Sequence, residues 1–176
     1  MPTPLSNKFW PVRLWASVDV EGGATCDLRL FRQQQTKGDL VLTNMRSPGR
    51  VETDMQVHSV EWEIFAPLPE GDLEELSEAY KEACDPLRRE SAAIIAYSGV
   101  LFFEFLQTRV EIAPAAANLQ TTPFGVQGHA IFYQPLTIPA LSTFDVAFRA
   151  GRLPKSVKRC ILRVSLVGVQ RSQGEF

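Results

Sequence analysis

The residues able to do chemistry are few: His58 and His129, the cysteines Cys26, Cys84 and Cys160, one acidic run and one basic run. Imidazole can ligate a metal or carry a proton near neutral pH. Neither histidine belongs to a readable metal motif, and each falls in or beside an apolar strand pattern, where a hydrogen-bonded structural role is expected. A thiol becomes a nucleophile when its pKa is depressed and a base lies near. Cys160 follows Lys158 and Arg159, yet all three cysteines lie on apolar phases, as small core residues do. No catalytic, cofactor-binding or metal-ligating set emerges, and the chain reads as a non-enzyme that needs no cofactor.

The charged runs point to surfaces. Glu70, Asp72, Glu74, Glu75, Glu78 and Glu82 surround Leu73, Leu76, Tyr80 and Ala83, which recur at helical spacing. The carboxylates therefore share an outer face, solvated or set against a partner. Arg149, Arg152, Lys155, Lys158 and Arg159 flank a turn holding Gly151 and Pro154, where they could meet phosphates or an acidic neighbour. Phe9, Trp10 and Trp15 form an aromatic group of the kind that fills cores, stacks on sugars or enters subunit interfaces.

These residues must be positioned by a chain of 176 residues, enough for one core, with 45% hydrophobic and 22% charged content and a net charge of −2. Such a balance offers no bulk attraction for nucleic acid. An odd number of widely spaced cysteines argues against a disulfide framework, so the thiols are expected reduced. The start, MPTPLSNKFWPVRLW, has no apolar stretch of the signal-peptide kind, which implies residence in the cytoplasm. From Ser91 to Thr108 the single charge is Glu104. That run is interrupted and shorter than the roughly 20 apolar residues of a membrane span, and reads as a buried strand or a helix-to-strand passage.

Residues 1–11, with Pro2, Pro4 and Pro11, are expected as an extended arm. Residues 12–170 form the folded domain and 171–176 a tail. Val12, Leu14, Ala16, Val18 and Val20 alternate with Arg13, Trp15, Ser17 and Asp19 in a half-buried strand. Gly22-Gly23 supplies a turn into a second strand, and a short third strand covers 39–43. Pro48-Gly49 has the order of a type II turn. The long strand 51–65 changes phase between Val57 and Val60, which calls for a bulge near His58-Ser59. A helix is expected from Asp72, followed by a shorter one from Pro86 to Glu90. A strand over 98–112 follows, then a long loop, Ala113 to Gly128, and then strands at 129–134, 136–138, 143–149 and 158–170. The pattern is all-β: a single eight-stranded jelly-roll barrel or sandwich with a short helical insertion near 72–90.

In this layout, and most of all in PLTIPALSTFDVAFRAG followed by CILRVSLVGVQ, the chain resembles the single jelly-roll major capsid proteins of tailless icosahedral bacteriophages with an internal membrane, such as those infecting Thermus. The resemblance covers about residues 12–170. It implies a homo-oligomerising coat subunit that tiles a virion with a second capsid protein over an internal viral membrane, assembled in the host cytoplasm, with no specific nucleic acid as partner. Phe9, Trp10, Trp15, Arg152, Lys155 and Phe176 are then the candidate assembly contacts. The competing expectation is a lectin-like β-sandwich that binds carbohydrate or a protein partner through the 113–128 loop and exposed aromatics.

Overall fold

The alternation at the start of the chain becomes β1 (Phe9–Val20), whose Ala16 and Val20 are buried while Arg13 stays exposed. This is a computed structural model, and it describes residues 9–33, 36–37, 40–67, 77–78, 80–81 and 84–171. The further strands are β2 (Thr25–Arg29), β3 (Thr36–Lys37), β4 (Leu40–Val41), β5 (Met55–Phe65), β6 (Gly99–Phe105), β7 (Thr108–Pro114), β8 (Gln120–Thr122), β9 (Gly125–Ile138), β10 (Phe144–Arg152) and β11 (Cys160–Arg171), with helix α1 (Pro86–Ser98) between β5 and β6.

The chain is an all-β sandwich of antiparallel sheets. A five-stranded sheet runs β1-β11-β5-β9-β8, a four-stranded sheet runs β2-β10-β6-β7, and β3 pairs with β4. Eight strands pair in a nested order, β1 with β11, β2 with β10, β5 with β9 and β6 with β7, as though one long hairpin were wrapped around the core. Among the described residues eleven strands are present where eight were expected; the additions, β3, β4 and β8, are two or three residues long.

Inward positions of both sheets fill the space between them. Met55, Trp62, Ile64, Leu162 and Leu166 meet Leu30, Leu101, Phe144 and Phe148, all at 1% exposure or less. Burying such a side chain stabilises by roughly 1.5–3 kcal/mol. Trp62 keeps its polar tip satisfied, its Nε1–H donating to the carbonyl of Ala115 at 2.8 Å.

Helix α1 starts where the sequence marks it. The Asp85 side chain accepts the Leu87 N–H at 2.9 Å, and Pro86 occupies the first turn, where no donor is needed. It runs eight residues past the expected Glu90, because Ser91, Ala92, Ile95 and Ala96 form a buried face. Its contacts with β5, β9, β10 and β11 place it at the end of the sandwich where β5 and β10 finish and β6, β9 and β11 begin. At Gly99 the chain passes so close to Phe148 that a Cβ would lie 2.1 Å from its ring. The apolar run from Ser91 is thus a helix-to-strand passage. Among the described residues no helix is long and apolar enough to cross a membrane.

Several boundaries differ from the sequence expectation. Phe9 to Pro11 are not arm but the first rungs of β1, paired with Arg171, Gln170 and Val169, and Arg171 belongs to β11. Residues 1–8 and 172–176 lie outside the described residues. The strand expected over 98–112 is the hairpin β6–β7, turned by Leu106 at a positive φ of 55°. The expected loop 113–128 is structured: β7 runs to Pro114, a turn follows, and β8 pairs with the start of β9. The two strands expected at 129–134 and 136–138 are one strand, β9, with Phe132 to Pro135 bulging out opposite His58. The irregularity expected near His58-Ser59 is there, between Val57 and Ser59. Gly49 takes the φ of 67° that its turn requires, and the Arg50 N–H donates to the Ser47 carbonyl. Of the helix expected from Asp72, Ser77, Glu78, Tyr80 and Lys81 are described and are helical.

Candidate interaction surfaces

The outer face of the five-stranded sheet carries the polar phases of its strands. Arg163 of β11 lies over the rings of Trp15, at 4.7 Å, and Phe65, at 5.5 Å, and its Nε–H donates to the Ser17 hydroxyl. Arg13 reaches Glu61 at 2.7 Å. Three hollows adjoin here. One of about 240 Å³ is lined by Glu61, Glu63, Gln120, Gln127 and His129; one of about 170 Å³ by Arg13, Trp15, Glu63, Arg163 and Ser165; one of about 220 Å³ by Val41, Phe65, Arg159 and Ile161. Glu61 and Glu63 line the first two and Arg163 the last two, so they form one groove across the sheet.

The four-stranded sheet is laced by charge. Arg29 touches both Asp27 and Glu104, Arg109 also reaches Glu104, and Arg149 lies 3.7 Å from Asp27. The hydrogen bond from Arg29 holds the Asp27 carboxyl below its ordinary range.

The edges of the five-stranded sheet are covered by amides. Along β1, the Trp15 N–H donates to Asn44 Oδ1 at 2.8 Å, and Asn44 Nδ2 donates to the Arg13 carbonyl at 2.8 Å. Along β9, beyond the reach of β8, Asn118 Nδ2 donates to the His129 carbonyl at 3.0 Å. Asn44 extends along β1 the backbone pairing that Leu42 and Asn44 make with Ser17 and Trp15, while Asn118 supplies a single donor to β9.

The sequence-nominated contacts scatter over these surfaces. Phe9 and Trp10, 46% and 58% exposed, begin β1 at the end remote from α1. Trp15 is half-buried beneath Arg163. At the opposite end Arg152, the last residue of β10, is exposed, as are Lys155 and Lys158 in the connection to β11. Phe176 lies outside the described residues, as do Glu70, Asp72, Glu74, Glu75 and Glu82. The nominated residues therefore make no single site. Among the described residues the most exposed aromatic, Tyr133, was not nominated; it crowns the β9 bulge beside Ile131.

The nucleophile and ligand candidates are kept apart. His58 is exposed on the bulge, and His129 lines the groove. Cys26 and Cys160 are buried, and burial pushes the Cys160 thiol up to about 11 against the opposing charge of Arg88. Among the described residues no group of three or more histidine, cysteine or acidic side chains could hold a metal.

Asp145 is the polar residue that the strand pattern hides. It is fully buried, and its Oδ1 accepts the N–H groups of Phe31 (2.7 Å), Val146 (2.8 Å) and Leu30 (3.2 Å), which ties the end of β2 to β10. Its Oδ2 has no hydrogen-bond partner. Burial raises its pKa against the pull of those N–H groups and of Arg32.

No family model matches this chain, and no curated protein matches it.

Proposed function

We propose that this chain is a structural coat subunit that self-associates and tiles an icosahedral shell, together with a second capsid protein, over an internal viral membrane. The observation that carries the reading is the nested strand order, which we read as jelly-roll wrapping, an architecture shared by viral coats, lectins and cupins. Fold alone does not choose among these. The choice of coat rests on the resemblance in the closing strands and on exposed aromatics spread over ends and bulges, where neighbouring subunits would meet. Electron microscopy of the concentrated protein tests it: regular hexagonal or icosahedral arrays are expected. A protein that stays monomeric and forms no arrays at any concentration overturns the reading.

The groove favours a second reading, a carbohydrate-binding module. Glu61, Glu63, Gln120 and Gln127 could bond hydroxyl groups beside Trp15. Specific retention of one glycan on an array, lost in Glu63→Ala, together with a monomeric mass, would establish it over the coat reading.

A further inference from the structure

The four-stranded sheet ends on β7, where Thr108, Arg109, Val110 and Glu111 are all exposed. The hairpin fixes which backbone groups of this edge face outward. Leu106 and Gln107 form a two-residue turn, so Phe105 and Thr108 exchange both hydrogen bonds, and antiparallel alternation gives the next such exchange to Phe103 and Val110. The N–H and C=O groups of Arg109 and Glu111 therefore point away from β6. Among the described residues they meet neither a further strand nor an amide side chain of the kind that Asn44 offers to β1. An open edge of this kind is a template for strand pairing. The side chains sort by face. Val110 shares the inner face with buried Phe103, yet it is 48% exposed. Arg109 lies on the outer face, bonded to Glu104 and set over the Phe102 ring at 5.4 Å. Glu111 follows on that same face, opposite Phe102, and makes no ion pair among the described residues.

We infer that β7 pairs antiparallel with β7 of a second copy about a two-fold axis, Val110 opposite Val110, so that the two four-stranded sheets join into one. Hydrogen bonding requires outward-facing residues to meet, which leaves three registers. Arg109 opposite Arg109, or Glu111 opposite Glu111, would set like charges directly against each other. The remaining register sets Arg109 opposite the partner's Glu111 on both sides of the axis, where backbone bonds and charge are satisfied together. It also closes Val110 against its counterpart and extends the core across the axis. The bulge opposite Leu101 and the donorless Pro114 confine the pairing to residues 108–112. A strand of another protein could satisfy the backbone, but Arg-Val-Glu read backwards is its own charge complement, which favours a second copy. This inference rests on the coat reading, which requires copies to meet, and supplies one such contact.

Disulfide trapping of the full-length chain tests the register, in a Cys84→Ser background that removes the partly exposed thiol. Residues directly opposite in a pair of this kind have Cα atoms about 4.5 Å apart, within disulfide reach. Val110→Cys should therefore give a covalent dimer under mild oxidation, at least ~10-fold faster than Thr108→Cys, whose two copies would stand about 14 Å apart. Faster trapping through Thr108→Cys overturns the register. In sedimentation velocity, Glu111→Arg and Arg109→Glu should each weaken dimerisation at least ~10-fold, since the two-fold axis counts every repulsion twice, and their equimolar mixture should dimerise again. If circular dichroism shows that Arg109→Glu disturbs the hairpin, Glu111→Pro, which deletes an outward N–H that β6 does not use, should still weaken dimerisation. Oligomers that these substitutions leave unchanged, or that are not trapped at Val110→Cys, overturn the β7 contact and leave the coat reading standing. A monomer that forms arrays only once a second coat protein is added would assign the edge to that protein's strand and overturn the contact between copies. A monomer that forms no arrays overturns both readings, whereas a β7 dimer that forms none keeps the contact and overturns the coat.

Discussion

Asp145 takes three backbone donors through one oxygen and leaves the other without a partner, in a site closed to water. The folded state therefore holds its proton more tightly than the unfolded chain does. The stabilisation from that proton is complete below the unfolded carboxyl range, near ~3.9, and is lost as pH rises through the raised folded value. Asp145→Asn removes the titration, so urea denaturation across pH 4 to 7 should show the wild type losing stability relative to the variant as pH rises. A difference that is constant or runs the other way would remove this account. The cysteines give a second check. Cys84 is partly exposed and should react with a thiol reagent in the native state, while Cys26 and Cys160 should react only on opening, with rates that rise with denaturant. Rapid native labelling of Cys160 would mean that the sandwich opens far more readily than its packing implies. The core role of Cys26 and Cys160 was legible from their apolar phase. Asp145 was not, since a lone acid in an alternating strand reads as solvent-facing until Leu30 and Phe31, far away in sequence, close over it.

At the scale of elements, one level of the five-stranded sheet concentrates the irregularity. His58 has no partner in β11 or β9, Val167 and Gly168 shift register there, and β9 bulges by four residues. A Cβ on Gly168 would stand 1.8 Å from the carbonyl oxygen of Gln56, so Gly168→Ala forces the bulge apart. It should cost about 3 kcal/mol in chemical denaturation, at the upper end of overpacking effects; a change below ~1 kcal/mol would show that β11 can slide. Asn44→Ala removes an exposed two-bond cap from β1. It should cost only ~1 kcal/mol, yet raise the aggregation rate by baring the edge, and unchanged light scattering on prolonged incubation would argue against the guarding role. The bulge could be read from sequence because apolar residues change phase between Val57 and Val60. The β6–β7 hairpin could not, because its turn places Leu106 where glycine or asparagine is the usual signal. β8 escaped for a different reason: Gln120, Thr121 and Thr122 are largely exposed and bury too little to alternate. The length of α1 was hidden because an unbroken apolar run fits helix and strand equally well.

For the whole molecule, composition and punctuation were sufficient for an all-β chain, while the nested pairing depends on contacts such as Phe9 with Arg171 that no local pattern encodes. The β1–β11 ladder carries one further consequence, for mechanics. Phe9 and Arg171 face each other at one end of it, so tension applied through these two residues loads one rung at a time and peels the strands like a zipper. A pull between Phe9 and Arg159, near the other end of β11, would instead load the rungs together in shear. Single-molecule stretching should therefore find a lower rupture force for the first pair of handles than for the second, and equal forces would show that the ladder is not the weak line. A subunit held through the segments on either side of this domain would yield first along that outer strand, leaving the strands behind it paired until β1 had come away.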